Sequence, residues 1–362
     1  MVVLVFQQAY SWGDETHRFF NLQTIRNLPL SMQMFRDEDF YFGDHAGDAN
    51  RRKSYTAEES PRHYIELERY PEFFRGAMPA TLLPLQQLYG ESTVEKNGIL
   101  PYVILQLTDS LTQTIRRADW QLVKKITADL GHYVADLYSP FNTTTNYDGQ
   151  LTRNNGIKWR YEIELMNRYY NQIFINRIEP EIIEDLPTTI FSALTYSYAR
   201  LPAILRADNE AKKKTKNIYN SEYYSLLWKS SLKTTNELIQ QASNLYTRIL
   251  FTAWQRAKGA KVKWSRLQNE QTTLKEPEYL EPNFPNPFNP KTTIKYSLPG
   301  DFYVRVSVFN LFGQEVALLY EGNQSEGRYE YVFNGEHLPG GIYFVRLQMN
   351  NHREARKMIL QK

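Results

Sequence analysis

Residues 122–137 read LVKKITADLGHYVADL, and this stretch decides how the larger part of the chain folds. Its apolar residues recur every three or four positions, the spacing that places side chains on one face of an α-helix. The sequence therefore predicts a mainly helical domain, which we bound at residues 12–275. The apolar positions are Leu122, Ile126, Leu130, Tyr133 and Leu137, with similar series at Ile104, Leu107, Leu111 and Ile115 and at Leu238, Ala242, Leu245 and Leu250.

Composition limits the classes of protein that this chain can be. A chain of 362 residues is longer than a domain with one hydrophobic core usually is, so we expect a large domain and a small one. The 43 basic and 40 acidic residues leave a net charge of +3, too small an excess to indicate nucleic-acid binding. No run approaches the roughly 18 apolar residues of a membrane-spanning helix, so we expect no transmembrane segment in the mature chain. The charged run at 206–216 is interpreted as a solvated helix end, with a phosphate-binding patch as the alternative.

The first residues resemble the end of a signal peptide. Val2 to Phe6 are apolar, and the segment up to Ser11 carries small residues where a signal peptidase cuts. We expect residues 1–11 to be a signal-peptide remnant that is removed before Trp12. The segment is short and lacks Lys and Arg, so the true start codon is left open, and the alternative is an ordinary buried N-terminal strand.

The character of the sequence changes at Glu276, where prolines become frequent up to Pro290. This composition predicts a linker over 276–290. Beyond it the period becomes two, which predicts short β-strands and a β-sandwich over 291–362. The alternating apolar residues are Ile294, Tyr296 and Leu298, followed by Val304, Val306 and Val308.

The C-terminal segment carries several recognisable motifs. They are Asn286-Pro287-Phe288-Asn289-Pro290, Leu311-Phe312-Gly313-Gln314-Glu315-Val316, Gly340-Gly341-Ile342-Tyr343-Phe344 and Arg356-Lys357-Met358-Ile359-Leu360. Together they resemble the C-terminal sorting domain of bacterial type IX secretion, over roughly 282–362. This resemblance implies an immunoglobulin-like sandwich, export through the periplasm to the surface or the exterior, and the type IX machinery as partner. Whether the domain is removed stays open, and the alternative is an accessory binding module.

Three of the six histidines form a pattern that suggests a metal site. Because the chain has no cysteine, metal ligands must come from His, Asp, Glu or main-chain groups. His132 and Asp136 are four residues apart, so both lie on one face of a helix and can converge on a metal. His17 and His63 also stand near possible oxygen ligands, although a single histidine is more often an ordinary polar residue.

The order of these residues resembles the zinc-dependent phospholipase C and nuclease P-one superfamily. The series runs through Trp12-Gly13, His17, Asp48, Pro61-Arg62-His63-Tyr64 and Gly131-His132-Tyr133-Val134-Ala135-Asp136, over residues 12–162 and more weakly to 268. The resemblance implies a multihelical domain and one zinc ion held by Asp48, His63, His132 and Asp136. It implies a second zinc ion held by His17, Asp136 and the amino and carbonyl groups of an N-terminal Trp12. Cleavage after Ser11 would free that amino group.

The chain departs from this family at a third zinc position. Asn142 and Lys158 stand where the family has histidines, and of that ligand set Glu162 remains. Asparagine is a poor zinc ligand and an ammonium group has no lone pair to donate. We therefore predict about two zinc ions, with Glu162 free to form an ion pair with Lys158.

The implied reaction is phosphodiester hydrolysis, because adjacent Zn²⁺ ions activate water and neutralise developing charge. Alternatives are a noncatalytic zinc-binding relative that binds ligands or acts at the cell surface, and a scaffold with incidental histidines. The sequence does not separate a phospholipid from a single-stranded nucleic-acid substrate, nor does it give the oligomeric state. The candidate catalytic residues are Asp48, Asp136 and Lys158, and the candidate metal ligands are Trp12, His17, Asp48, His63, His132, Asp136 and Glu162.

Overall fold

The computed structural model describes residues 12–215, 217–258, 279–311, 313–349 and 352–362. The predicted signal-peptide remnant and residues 276–278 of the predicted linker lie outside these residues. The chain divides into two compact units, Met1–Val262 and Lys263–Lys362. No helix in the described part of the chain is long and apolar enough to cross a membrane.

The first unit is helical. Its core is built where α1, α8, α9 and α14 pack on one another, and α13 packs on α14. The helices are α1 Asp14–Arg26, α2 Gln33–Arg36, α3 Asp39–Asp44, α4 Asp48–Arg52, α5 Pro71–Phe74, α6 Leu82–Tyr89, α7 Glu91–Asn97, α8 Leu100–Arg116, α9 Trp120–Leu137, α10 Ile157–Trp159, α11 Met166–Tyr169, α12 Leu186–Tyr198, α13 Leu201–Lys214 and α14 Ser221–Lys258. Shorter 3₁₀ turns span Leu30–Met32, Ala57–His63, Leu67–Arg69, Pro140–Thr143 and Tyr170–Gln172, and a π-helical turn spans Arg160–Leu165.

The helix α9 forms as its apolar spacing predicts. Asp119 caps its N-terminus by accepting a hydrogen bond from the backbone N–H of Leu122 at 3.1 Å. Ile126, Leu130 and Tyr133 of the predicted face are buried, whereas Leu122, in the first turn, is 43% exposed. The helix is therefore surrounded by protein along its second half, where His132 and Asp136 lie.

The second unit is a β-sandwich of two antiparallel sheets. One sheet pairs β1 (Lys291–Leu298) with β4 (Gly327–Asn334), and the other has the order β3-β2-β5-β6. The four strands of the second sheet are β2 Phe302–Asn310, β3 Glu315–Gln324, β5 Gly341–Met349 and β6 His352–Leu360. The six alternating apolar residues from Ile294 to Val308 are all buried in one core. The predicted combination of a helical domain and a C-terminal sandwich is confirmed.

The end of the proline-rich segment belongs to the sandwich. Leu280 and Phe288 are buried in its core, and Phe284 exchanges backbone hydrogen bonds with Thr293 at 2.9 and 3.0 Å. Proline frequency had predicted a linker up to residue 290. The apolar side chains between the prolines pack on the strands instead, so the β-unit includes the described residues from 279 onward.

Helix packing brings α1 very close to α9 at Gly131, the residue before His132. Asn21 of α1 is buried and donates hydrogen bonds to the carbonyl oxygens of Phe42 and Ala128, each at 3.2 Å. A Cβ atom on Gly131 would lie 1.9 Å from Oδ1 of Asn21. Only glycine allows this approach, which sets the separation of the helices that carry His17 and His132.

We predict that Gly131→Ala destabilises the protein by about 1–3 kcal/mol, the usual cost of overpacking a core. The loss should appear although alanine favours a helix over glycine. Gly43→Ala is the matched control, because its added Cβ would meet Leu22 at an ordinary 3.5 Å. Urea unfolding of the two variants measures the difference, and equal stabilities would contradict the packing argument.

Candidate metal centre

Three imidazole rings surround the carboxylate of Asp136, which is fully buried. His132 lies one helical turn earlier on α9, with its Nε2 atom 3.2 Å from Oδ2 of Asp136. His63 ends the 3₁₀ turn 57–63, and its Nδ1 atom lies 2.7 Å from the same oxygen and 3.1 Å from Nε2 of His132. His17 of α1 approaches the other oxygen, Oδ1, at 3.5 Å. The structure thus brings together four of the predicted ligands.

The position of His63 is set by the chain that follows it. Gly98 has a φ of +88°, and a Cβ atom there would lie 2.1 Å from the carbonyl oxygen of Tyr64. This close approach lets the N-terminus of α8 bond to the turn: the N–H of Ile99 donates to Pro61 at 2.8 Å. The imidazole is held beside α9 by a segment far along the sequence, so the packing and not the local motif determines its place.

Two of the rings also have contacts on the side away from Asp136. His132 Nδ1 lies 2.7 Å from the carbonyl oxygen of Ala46, and His63 Nε2 lies 3.2 Å from a carboxylate oxygen of Glu59. A carbonyl oxygen only accepts, so Nδ1 of a neutral His132 carries the hydrogen and its Nε2, which faces Asp136, presents a lone pair. His63 lies between two carboxylates, so either of its nitrogens can carry the hydrogen; when Nε2 donates to Glu59, Nδ1 faces Asp136 with a lone pair.

In that form three atoms with lone pairs converge: Oδ2 of Asp136, Nδ1 of His63 and Nε2 of His132, separated by 2.7, 3.1 and 3.2 Å. Such an arrangement is repulsive unless a proton or a metal cation lies among the atoms. Donors that share a tetrahedral Zn²⁺ at 2.0–2.1 Å lie about 3.3 Å apart, close to the two longer separations. Ligand atoms of His17, His132 and Asp136 also lie within 4.8 Å of one another. The residues fit a metal ion.

Burial favours neutral imidazoles here. It lowers the pKa of His17 to about 4, aided by the charge of His132. It likewise lowers the pKa of His63 to about 4, aided by Lys53. Burial alone would raise the pKa of Asp136, but interactions with His132, His17 and His63 outweigh it and hold that pKa well below its usual range. Neutral imidazole and ionised carboxylate are the forms that bind zinc.

Trp12 lies next to this cluster. Its side chain is fully buried, its indole N–H donates to the carbonyl oxygen of Ala135 at 3.1 Å, and its ring packs 5.6 Å from that of Tyr161. The chain is thereby anchored beside Asp136 at the start of α1. Ligation by the Trp12 amino group depends on cleavage before this residue and stays a prediction.

Asp48 has other partners. Its Oδ2 atom lies 2.7 Å from Nδ1 of His45, and its Oδ1 atom accepts a hydrogen bond from Arg51. The carboxylate is about one third exposed, unlike the buried cluster. Its role as a zinc ligand and catalytic residue remains a prediction, and it requires the side chain to leave these two partners.

The predicted third position is filled by polar contacts within the protein. Lys158 Nζ donates to Oδ1 of Asn142 at 2.7 Å, and the amide of Asn142 donates to the carbonyl oxygen of Asp136 at 3.2 Å. Ser139 donates to one oxygen of Glu162, and the other oxygen, Oε2, has no hydrogen-bond partner among the described residues. Lys158, Asn142 and Glu162 are 7%, 2% and 0% exposed, so this is an interior site and not a surface ion pair.

Burial affects both charged groups at this position. It raises the pKa of Glu162 to about 7, although Lys158 and Ser139 act in the opposite direction. It lowers the pKa of Lys158, against the attraction of Glu162 and Asp136. A buried lysine is costly because its charge is removed from water, and a neutral side chain could fill the same space.

Sequence reasoning did not single out Lys53 or Glu59. Lys53 donates to Oδ1 of Asn50 at 2.8 Å, and burial lowers its pKa to about 8 against the charge of Asp136. In the sequence it follows two arginines and resembles a solvated basic run. Glu59 lies four residues before His63, and that spacing was the available signal for their contact.

Comparison with known proteins bears mainly on the second unit. Residues 283–361 match the family model of the secretion system C-terminal sorting domain. The predicted sorting domain is confirmed, and it assigns the chain to export to the cell surface or the exterior. No curated protein matches this chain.

Two solved structures are similar at low identity. Alpha toxin from Clostridium absonum has a TM-score of 0.42 at 8% identity, covering 98% of this chain and 99% of that one. Alpha toxin from an avian strain of Clostridium perfringens has a TM-score of 0.38 at 10% identity, with the same coverage. Both scores are below 0.5, so neither similarity identifies the function of the helical unit.

We predict that zinc stabilises the protein through this cluster. At zinc concentrations 1,000 times Kd the gain is about 4 kcal/mol. The double variant His63→Ala with His132→Ala should lose it, whereas His337→Ala, an exposed histidine of the β-unit, should keep it. Thermal unfolding with zinc and with a chelator measures the effect, and an equal response in parent and double variant would exclude this cluster as the binding site.

Proposed function

We propose that the helical unit is a zinc-dependent phosphodiester hydrolase that acts after export. The observation that carries this proposal is the convergence of three potential ligand atoms, one each from Asp136, His63 and His132, in a buried site. Zinc bound there would lower the pKa of a bound water and offset the charge that develops on the phosphate. Such chemistry suits a phosphodiester, whose negative charge repels hydroxide.

The two oxygens of Asp136 suit a bridging role. Oδ2 faces His63 and His132, whereas Oδ1 faces His17 at 3.5 Å. The first set would hold one ion with Asp48, and the second would hold another with Trp12. This division supports the prediction of about two zinc ions.

A lysine next to the cluster would bind the anionic substrate. Lys158 is buried and bonded to Asn142, and its charge acts on both Glu162 and Asp136. We propose that its ammonium group turns from Asn142 to a nonbridging phosphate oxygen, which would make Lys158 a catalytic residue through electrostatic stabilisation. The ammonium group would then supply the positive charge that a third zinc ion would otherwise provide, without coordinating the phosphate.

A noncatalytic zinc-binding relative is the second candidate. It is favoured by the closed contacts at the third position, where Lys158 and Glu162 already have partners in Asn142 and Ser139. In that case the helical unit would bind a ligand at the cell surface without cleaving it. The scaffold alternative leaves the convergence of four ligands unexplained.

Turnover of bis(p-nitrophenyl) phosphate by zinc-loaded protein that begins at Trp12 tests the proposal. We predict measurable activity that His132→Ala abolishes and that Lys158→Ala lowers by about ten- to a thousandfold in kcat without loss of zinc. Phosphatidylcholine vesicles, RNA and single-stranded DNA as further substrates separate lipid from nucleic-acid cleavage.

The double variant Asn142→His with Lys158→His decides between the candidates. It should bind one more zinc ion, because it supplies two imidazoles beside Glu162. If the parent cleaves none of the substrates and this variant does, the parent is a noncatalytic relative and Lys158 is not a substitute for the metal.

A further inference from the structure

Glu59 is a buried carboxylate on the outer side of the cluster. It is 5% exposed and lies four residues before His63 on the same 3₁₀ turn. His63 Nε2 lies 3.2 Å from its Oε1 atom, and the hydroxyl of Tyr133 donates to that same oxygen. Neither the predicted zinc ligands nor the proposed catalytic residues include it.

Two arginines hold this carboxylate in place. Arg52 Nε donates to Oε2 of Glu59 at 3.0 Å, and Arg62 Nε lies 3.8 Å from the same oxygen. Arg52 also donates to Asp129 at 3.1 Å and to the hydroxyl of Tyr133 at 3.2 Å. Arg62 Nε donates to that hydroxyl at 3.0 Å. The network fixes the carboxylate from several directions.

The carboxylate of Glu59 is surrounded by donors. Tyr133 donates to its Oε1 atom, and the Nε atoms of Arg52 and Arg62 lie 3.0 and 3.8 Å from its Oε2 atom. A carboxylate paired with two guanidinium groups can only accept hydrogen bonds. A hydrogen shared between Glu59 and His63 is therefore carried by Nε2 of the ring.

The two nitrogens of His63 point in different directions. Nε2 faces Glu59 at 3.2 Å, and Nδ1 faces Asp136 at 2.7 Å. Glu59 is thus separated from the convergence point by the imidazole itself, so it does not belong to the ligand set. Its effect on a metal must pass through the ring.

We propose that Glu59 is a positioning residue that holds His63 in the Nε2–H tautomer, so that a divalent metal ion binds through Nδ1. The metal-binding part rests on the proposed zinc centre, whereas the tautomer does not. A carboxylate on the far nitrogen orients the ring and raises the basicity of the metal-binding one. Loss of such a partner commonly lowers metal affinity by about ten- to a hundredfold.

Asp129 provides a matched control. It accepts from the same guanidinium group of Arg52 that binds Glu59, and its side chain is 13% exposed. It belongs to the same charged network, but it accepts its hydrogen bond from Arg52 and not from His63. A general disturbance of the network should therefore appear in Asp129→Asn as well as in the Glu59 variants.

The experiment is ¹⁵N NMR of histidine-labelled full-length protein, without metal and with zinc, combined with zinc affinity by competition with a chelator. We expect the Nε2–H tautomer of His63 in the metal-free protein and a zinc-induced shift at Nδ1. Glu59→Ala should lose the single tautomer and bind zinc about ten- to a hundredfold more weakly. Glu59→Gln, whose amide oxygen can still accept from Nε2, should recover part of both, and Asp129→Asn should retain both.

Several results would overturn the inference: an Nδ1–H tautomer in the parent, a zinc shift at Nε2, or Glu59 variants that match the parent. Equal losses in Asp129→Asn and Glu59→Gln would assign the effect to the network as a whole. If Glu59→Ala does not fold, the comparison of Glu59→Gln with Asp129→Asn decides. A parent that binds no zinc defeats the proposed function, while its tautomer still tests the role of Glu59.

Discussion

The carboxylate of Asp136, buried among three imidazoles, is the constraint on which the helical unit depends. A buried charge is costly unless opposite charge or hydrogen bonds compensate it. His63 and His132 approach its Oδ2 atom at 2.7 and 3.2 Å, while their other ring nitrogens face Glu59 and the carbonyl oxygen of Ala46. A metal cation among these atoms would compensate the charge, which is the role we propose for the cluster.

The surrounding packing shows how that arrangement is maintained. Asn21 and Gly131 set the approach of α1 to α9, and Thr24 of α1 donates to Ser243 of α14 at 2.9 Å. The hydroxyl of Tyr246 donates to the carbonyl oxygen of Thr127 at 2.7 Å, which ties α14 to α9 as well. His17, His132 and Asp136 are thus carried by helices that are fixed to one another by buried polar contacts.

Local periodicity predicted much of the fold, because helices and strands are encoded by spacing that a single segment displays. The pair of His132 and Asp136 follows from one helical turn, and the alternating residues of β1 and β2 are buried as expected. The spacing of residues within one segment does not predict contacts between distant segments. The resemblance to a known family supplied His17 and His63, but spacing gave neither the tautomers nor the partners of Asp48.

Buried charges were the hardest feature to predict. Lys53 and Lys158 stand in polar stretches, and their burial comes from the elements packed around them. Glu59 was hidden for a similar reason, since its partners Arg52 and Tyr133 lie on α4 and α9, which meet the 57–63 turn only in the folded protein. The proline-rich end of the linker shows the converse case, because Leu280 and Phe288 are buried despite a composition that is typical of exposed chain.

The most direct measurement is anomalous diffraction at the zinc absorption edge from crystals of the protein that begins at Trp12. We expect two peaks, both within bonding distance of Asp136, with His63 and His132 at one and His17 at the other. We expect no peak between Asn142 and Glu162, where Lys158 supplies the charge. Zinc-saturated crystals with no peak beside Asp136 would contradict the proposed two-zinc centre.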